Sequence, residues 1–294
     1  MSEHTFYSIR AGLNQNKDGF SLDALKELLQ RVYNNLDEAG YFSESLGYWC
    51  VDSEHIPGKI TDIELEIFLK IRKKTLWPID KFIKNYTEDD LFDIIEFLYI
   101  HVSKPIDGTY HAYNNCGMHW ETFNKSEGQK EFREKINEVL GMYVGQFELN
   151  DKGEILSKPE VGFEKIFEAD IPSRNKSISD RINSSILQYR RHGSTLDDRR
   201  QAVRDLADVL EYLRPNIKSI LTQQDENHLF NIANNFGIRH HNEKQKTNYD
   251  TSLWLSWMFY FYLSTIHLIL RKMENEELNQ GVKKTQKSRD LMPK

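Results

Sequence analysis

One stretch near the C-terminus concentrates groups suited to phosphate binding and proton transfer. It reads FGIRHHNEK and contains Arg239, followed directly by His240 and His241. An arginine guanidinium binds phosphate oxygens through a fixed, always-charged fork, and an imidazole exchanges protons near neutral pH. A base, an acid and a cation at the phosphate are the minimum requirement for metal-independent RNA cleavage. Arg239, His240 and His241 are therefore candidate catalytic residues.

The same stretch also fits a purely structural role. Gly237 is a typical helix stop, and polar side chains commonly satisfy the backbone groups that a helix end leaves open. Asn235 and Asn242 flank the arginine, and their amides could either cap the helix or contact RNA. The spacing leaves both interpretations open.

A basic segment precedes this loop. Residues 171–221 hold 10 Lys and Arg against 6 Asp and Glu, a local charge of +4 in a chain of net charge −6. Arg190, Arg191, Arg199 and Arg200 flank a Gly-Ser-Thr turn, and such a cluster is a candidate for contacts with RNA phosphates. The interleaved aspartates favour the alternative, a face of surface ion pairs that each contribute little.

A third set of reactive side chains lies in the N-terminal half. The segment HAYNNCGMHWE places His111, Cys116 and His119 at spacings of five and three, and Cys50 with His55 forms a second pair. Zinc binds Cys and His, and a four-ligand set could be assembled from these residues. Cys116 beside a histidine could instead be a nucleophile with its base, or a small buried side chain. Because the spacing matches no standard finger, we expect no metal or other cofactor.

The periodicity of the apolar residues predicts a mainly α chain. Helix starts are indicated by Ser21 and by Thr-x-x-Asp/Glu pairs beginning at Thr61, Thr87 and Thr195. The segment GQFELNDKGEIL predicts one β-hairpin near 145–157. We predict an N-terminal helical domain with this hairpin over residues 1–170, a C-terminal four-helix bundle over 171–278, and a disordered tail over 279–294.

A long aromatic helix is predicted at about 250–273. Its core, LWLSWMFYFYLSTIHLIL, is 18 residues long, near the lower limit for crossing a bilayer. Because it includes Ser256, Ser264, Thr265 and His267, we interpret it as the core helix of a soluble bundle or as part of a homodimer interface. Two cysteines and a start that is not of the secretory type predict a cytoplasmic protein without membrane association.

A helical bundle with an Arg-His motif entering its last helices resembles the HEPN superfamily. Many of its members are ribonucleases of bacterial toxin, abortive-infection and CRISPR systems, and they commonly dimerise. The family pattern is an arginine, a polar residue and, after about three further positions, a histidine. Arg239 matches the arginine and His240 the polar position, whereas Lys244 and Gln245 stand near the place of the histidine. His241 would replace it from another register.

The whole chain also resembles a bacterial protein family without an established activity. The similar blocks are YSIRAGLN, EDDLFDIIEFLYIHVSKP, CGMHWETFN, RRHGSTLDDRRQAVRDLADVLEYL and FGIRHHNEKQKTNYD. Together the resemblances imply a HEPN-like, dimeric, RNA-binding protein of bacterial defence or toxin type, with ribonuclease activity at the Arg-His-His motif. The alternative is a non-catalytic dimeric scaffold or adaptor whose N-terminal domain binds a protein, and a structural zinc protein is the third hypothesis.

Phosphate-binding loops and the G-x-S-x-G and H-E-x-x-H signatures are missing from the sequence.

Overall fold

The computed structural model describes residues 6–13, 19–160, 162–173, 175–235 and 250–289. The chain divides into two compact units, Met1–Ser157 and Lys158–Lys294. The prediction of a mainly α protein is confirmed. The described residues contain three two-stranded antiparallel sheets, all in the first unit, where the sequence predicted one hairpin.

The first unit combines helices with the three hairpins. Its helices are α1 (Tyr7–Arg10), α2 (Leu22–Glu38), α3 (Ser43–Leu46), α4 (Ile63–Ile71), α5 (Ile79–Phe82), α6 (Glu88–His101) and α7 (Lys125–Gly141), with 3-10 turns at Ile83–Asn85 and Tyr113–Asn115. Its hairpins are β1–β2 (Tyr48–Cys50 and Glu54–Ile56), β3–β4 (Lys104–His111 and Gly117–Asn124) and β5–β6 (Phe147–Leu149 and Ile155–Ser157). The predicted hairpin near 145–157 corresponds to β5–β6.

The helix starts follow the capping chemistry of the sequence, with one exception. Thr87 and Asp90 form a capping box at α6, in which each side chain accepts a hydrogen bond from the other residue's backbone N–H. The capping box expected to begin at Thr61 is wrong, because Asp62 is the N-cap of α4 and its carboxylate accepts from the Leu65 N–H at 2.9 Å. A carboxylate at this position also interacts favourably with the helix dipole.

The core of the first unit is built mainly from α2, α6 and α7. Its fully buried side chains include Leu25, Leu29, Leu91, Ile94, Leu98, Phe132, Ile136 and Leu140. Burying a side chain of this kind contributes about 1.5–3 kcal/mol. Because β3–β4 connects α6 to α7 directly, both ends of this hairpin are attached to the core.

Two contacts fix the base of the β3–β4 hairpin. The Ser103 N–H donates to the Tyr41 carbonyl at 2.8 Å, and Lys104 forms an ion pair with Glu131 at 2.6 Å. Gly128 allows the backbone of α7 to approach the start of β3 closely. A Cβ at this position would lie only 2.4 Å from the backbone nitrogen of Lys104. These contacts fix the orientation of the hairpin relative to the core, and therefore also the position of its far end, which carries His111 and Cys116.

The regular secondary-structure elements of the second unit are all helices in its described residues. Its helices are α8 (Glu164–Glu168), α9 (Lys176–Arg190), α10 (Leu196–Tyr212), α11 (Arg214–Ile220), α12 (Gln223–Asn235) and α13 (Thr251–Arg289). The predicted Thr195–Asp198 capping box is present at α10. Ile166 and Phe167 pack against the core of this unit, so residues 158–170 group with the second unit rather than with the predicted domain 1–170.

Helix α13 extends beyond its expected end near Met273, to Arg289. Residues 279–289 of the expected disordered tail are therefore helical, and residues 290–294 lie outside the described part of the chain. The segment Thr251–Glu276 is long and apolar enough to cross a membrane, and 61% of its most apolar window is buried. Leu255, Phe259 and Leu263 are completely buried in the core of the unit, which favours the predicted core helix.

Candidate metal centre

Four Cys and His side chains from the first two hairpins converge. Cys50 ends β1, His111 ends β3, Cys116 precedes β4, and His119 lies within β4. One donor atom from each residue, two sulphurs and two ring nitrogens, lies within 4.8 Å of the other three. A tetrahedral zinc ion with Zn–S and Zn–N bonds of about 2.3 and 2.0 Å separates its ligand atoms by roughly 3.3–3.8 Å. The cluster is therefore within a small side-chain adjustment of a zinc site.

Two donor pairs already have the separation that a common ion requires. The Cys50 Sγ lies 3.8 Å from the His111 Nδ1, and the Cys116 Sγ lies 3.3 Å from the His119 Nε2. The centroids of the two imidazole rings are 5.0 Å apart with their planes inclined at 62°. Sulphur and imidazole nitrogen together form the Cys2His2 donor set of structural zinc sites.

The register of the β3–β4 hairpin places the two histidines together. Thr109 pairs with His119, and His111 pairs with Gly117. Because residues two apart and residues directly opposite share one face of a hairpin, His111 and His119 are diagonal neighbours on the same face.

The connection between the two strands brings Cys116 to the same place. Asn114 and Asn115 adopt left-handed backbone conformations with φ of 46° and 54°, and Gly117 follows with φ of 104°. Asparagine and glycine are the residues that adopt positive φ most readily. The sequence YNNCG therefore forms a tight turn that returns Cys116 toward the two imidazoles.

The short β1–β2 hairpin contributes Cys50 and turns His55 away. Trp49 pairs with His55, and Cys50 pairs with Glu54. Since neighbouring residues of a strand point to opposite faces, Cys50 is buried while Trp49 is 65% exposed. His55 is exposed as well, so the sequence pair Cys50–His55 is not a site, and Cys50 joins His111, Cys116 and His119 instead.

Asp52 holds the outer nitrogen of His111. Its Oδ2 lies 3.2 Å from the His111 Nε2, while the Nδ1 of the same ring faces Cys50. A carboxylate on the second nitrogen is the usual partner of a metal-binding histidine, because it fixes the tautomer and raises the basicity of the ligand. Sequence reasoning missed Asp52, although a carboxylate two residues beyond a candidate ligand is a visible signal.

The surroundings of Cys50 favour its ionised form. The backbone N–H of Asp52 donates a hydrogen bond to the sulphur and lowers the pKa of the Cys50 thiol, and the Ser53 N–H and the Cys116 thiol act in the same direction. Hydrogen bonds to a thiolate stabilise it, and the thiolate is the form that binds a metal.

The two chemical interpretations of this cluster, a metal site and a nucleophile with its base, use different numbers of these residues. A nucleophile with its base would need only Cys116 and His119, and it would leave the positions of Cys50 and His111 without a role. A metal ion uses all four donors. Glu121, the carboxylate of β4, accepts a hydrogen bond from the Thr109 hydroxyl at 2.9 Å and is not one of the four converging donors.

The candidate catalytic residues follow helix α12 in the sequence. Arg239, His240, His241 and Asn242 fall outside the described residues, and the same holds for the side chain of Asn235 at the end of α12. The interpretation of this motif as a ribonuclease site therefore stays a prediction.

Two arginines of the basic segment lie against aromatic rings. The Arg190 guanidinium is centred 4.5 Å from the Phe167 ring, and only 5% of Arg190 is exposed. The Arg199 guanidinium lies 5.3 Å from the Tyr189 ring. Cation–π contacts of this kind stabilise packing within a unit.

The other two candidate RNA-binding arginines form ion pairs. Arg191 lies 2.7 Å from Asp198, and Arg200 lies 2.6 Å from Asp197. Hydrogen bonds from the Thr195 backbone and hydroxyl, together with Arg191, hold the pKa of Asp198 well below its usual range. These contacts favour the ion-pair interpretation of the segment over a free phosphate-binding surface.

Comparisons of the chain with models of known protein families, with curated proteins and with solved structures find no match. The resemblance to the HEPN superfamily therefore rests on the Arg-His motif of the sequence.

Proposed function

We propose that the first unit is a zinc-binding module in which Cys50, His111, Cys116 and His119 hold one Zn²⁺. The convergence of their four donor atoms within 4.8 Å carries the proposal. Four protein ligands fill a tetrahedral zinc ion and leave no position for substrate or water, which is typical of structural rather than catalytic zinc. The metal would supply folding free energy to the unit.

The position of the cluster explains why a metal would matter here. Hairpin β1–β2 has only three residues in each strand, and β3–β4 is a separate two-stranded sheet. An isolated two-stranded hairpin is marginally stable in water. A metal bound by Cys50 of the first hairpin and by three residues of the second would join two elements that the backbone hydrogen bonds leave separate.

The joined hairpins present aromatic side chains to solvent. Trp49, Tyr110 and Tyr113 are each at least 60% exposed. Trp49 and Tyr110 directly precede a proposed ligand, and Tyr113 lies two residues beyond His111. Exposed aromatic side chains on a rigid support are typical of protein interaction surfaces. They support a non-catalytic adaptor role, in which the zinc-bound hairpins contact a protein partner.

A dimer is the oligomeric state we propose for this adaptor. Leu253, Trp257 and Leu268 lie on one side of α13 by their helical spacing, and between 43% and 66% of each residue is exposed. A second copy could cover this stripe in a symmetric contact. Light scattering is expected to give a dimer for the wild-type protein and a monomer for Trp257→Glu, and a wild-type monomer would contradict the dimer.

Cobalt substitution tests the metal site directly. Co²⁺ accepts the same Cys and His ligands as Zn²⁺, and its visible spectrum reports both tetrahedral geometry and sulphur coordination. The wild-type protein should give a tetrahedral spectrum with sulphur-to-cobalt charge transfer that added Zn²⁺ abolishes. Cys50→Ser should weaken the charge-transfer bands, whereas the control variant His55→Ala should keep them. A spectrum of hydrated cobalt with wild-type protein would contradict the proposal.

We also propose RNA binding and metal-independent cleavage by the HEPN-like C-terminal region as a second function. It is supported by the residue types of Arg239, His240 and His241 between α12 and α13. Replacing His241 by Ala should slow cleavage of total RNA by about 10²–10⁴-fold, and Arg239→Ala should also weaken RNA retention. Chelators should leave cleavage unchanged. Equal, zero cleavage by wild type and variants would contradict the enzyme.

A further inference from the structure

The proposed zinc site contains both cysteines of the chain. Cys50 and Cys116 are the only two, both are free thiols, and their sulphur atoms lie within 4.8 Å of each other. Since a disulfide requires a sulphur–sulphur distance of about 2.05 Å, a side-chain movement of at most roughly 3 Å would join them.

We propose that this pair is a reversible oxidation site: a peroxide converts Cys50 and Cys116 into a disulfide, zinc is released, and the disulfide replaces it as the link between the hairpins. The inference rests on the proposed zinc binding. It adds a peroxide as the oxidant of this site, and a disulfide as the second state of its two cysteines.

The two cysteines differ in access, which assigns their order of reaction. Cys116 is partly exposed in the turn before β4, whereas Cys50 is only 3% exposed. Peroxide from solvent therefore reaches the Cys116 sulphur first. Cys50 is the buried partner held beside it, in the position of a resolving cysteine.

The reaction balances with hydrogen peroxide as the only oxidant. The Cys116 thiolate attacks one peroxide oxygen, the O–O bond breaks, and a sulfenic acid and hydroxide form. The Cys50 thiolate then attacks the sulfenic sulphur, forms the S–S bond and expels a second hydroxide. Two protons from solvent convert both hydroxides to water. The two thiolates lose two electrons in total, and the zinc leaves as Zn²⁺ without a change of charge.

The new bond would cross-link the same two elements as the metal. It would join the end of β1 to the turn before β4, so the two hairpins remain tied to each other. It would also free the imidazoles of His111 and His119 from the metal. Oxidation therefore releases the two imidazoles but keeps the cross-link between the two hairpins. Removal of zinc by a chelator would release the imidazoles and lose the cross-link as well.

The test compares oxidation with chelation in the full-length protein. Zinc-loaded protein is treated with hydrogen peroxide, and released zinc, free thiols and cross-linked peptides are measured. The expected result is that each chain releases one zinc, loses two free thiols and yields a disulfide-linked Cys50–Cys116 peptide pair. Dithiothreitol should then reduce this disulfide, and the reduced protein should take up zinc again. A chelator alone should release the zinc and leave both thiols free.

A variant follows the first step separately. Cys50→Ser should retain a sulfenic acid on Cys116 that a dimedone probe labels, whereas the wild type should show little labelling because Cys50 resolves it. Zinc-loaded wild-type protein that forms no intrachain disulfide, or only sulfinic acid or intermolecular disulfides, overturns the oxidation site but leaves zinc binding intact. Wild-type protein that neither contains nor takes up zinc overturns the proposed function and the zinc-releasing reaction together.

Discussion

The cysteine–histidine cluster of the first unit and the arginine segment of the second both combine reactive residue types, and their geometry differs in kind. In the cluster, the donor atoms of four side chains face one another. In the segment, Arg191 and Arg200 face aspartates, and Arg190 lies on an aromatic ring. A binding site requires groups whose bonding capacity is not already used by other groups of the protein. The four donors of the cluster therefore support a site in the first unit, whereas the arginines of the second unit are used in internal contacts.

The separation of the partners along the chain accounts for part of this difference. Arg200 and Asp197 are three residues apart on one helix, where such a pair meets whatever the tertiary structure. Cys50 and His111 meet only because two hairpins are folded against each other. Local pairs form from sequence spacing, whereas the cluster depends on the tertiary fold and can stabilise it in return.

Zinc removal should give the largest contrast between the two regions. Hydrogen exchange of peptides that cover β1–β2 and β3–β4 should accelerate by roughly a thousand-fold or more in a chelator, because structural zinc contributes several kcal/mol to the fold that it holds. Peptides of α9 and α10 should exchange at unchanged rates. His55→Ala is the matched control and should behave as the wild type. Unchanged protection of both hairpins after complete zinc removal would break the comparison.

The second largest effect is expected at Asp52. Replacing Asp52 by Asn removes the charge beside the His111 Nε2 and should weaken zinc binding by about 10–100-fold. A competition titration with a chromogenic chelator measures the change. Glu54→Gln, an exposed carboxylate on the same hairpin, is the control and should bind zinc as tightly as wild type. Equal affinities for Asp52→Asn and wild type would show that the carboxylate does not support the ligand.

Acid should affect the first unit through a histidine outside the cluster. Burial lowers the pKa of His101 to about 4, and Lys70 acts in the same direction. The folded unit keeps this imidazole neutral, while the unfolded chain takes up a proton below an ordinary pKa of about 6.5. Above about pH 6.5, His101 therefore does not reduce the free energy of unfolding. This free energy declines as the pH falls from about 6.5 towards 4.

Replacing His101 by Gln should flatten this dependence. Between pH 7 and pH 5 the wild-type unit should lose about 1 kcal/mol more of its free energy of unfolding than the variant, after allowance for the partial exposure of the ring. Denaturant titrations of zinc-free protein, followed by a probe in the first unit, measure the difference. Parallel pH curves for the two proteins would exclude His101 as the cause.

Breaking a surface pair in the second unit should have the smallest effect. Asp197 is 89% exposed at its side chain, and its partner Arg200 is 31% exposed. Asp197→Asn should change the free energy of unfolding by less than about 1 kcal/mol, as measured by denaturant titration, and should leave zinc content unchanged. A larger loss of stability would mean that the arginine segment is a cooperative network rather than a set of local pairs.

The sequence predicted the parts of the fold that depend on local chemistry. The capping boxes at Thr87 and Thr195 and the serine cap at Ser21 mark the true starts of α6, α10 and α2, because capping needs only neighbouring residues. Asp62 replaced Thr61 as a cap because both are acceptable caps and the tertiary contacts of the chain select between adjacent positions. The β-bulges between Pro105 and Gly108 interrupt the alternation of β3, which hid that hairpin.

The candidate site could be predicted only in part for the same reason. His111, Cys116 and His119 are close in sequence and were recognised as potential ligands. The choice between Cys50 and His55 depends on which face of a three-residue strand points inward, and so short a strand gives no alternating pattern. Asp52 has meaning only once His111 is placed beside it. The choice of Cys50 over His55 and the pairing of Asp52 with His111 both required the tertiary structure.

Elemental analysis of the full-length protein, expressed without a metal-affinity tag and purified without added metal, tests the central claim most directly. Wild type and the His55→Ala control should each contain one zinc per chain, whereas His119→Ala should contain little or none. Zinc-free wild-type protein that also fails to take up added Zn²⁺, or equal zinc content in all three proteins, would contradict a metal centre at Cys50, His111, Cys116 and His119.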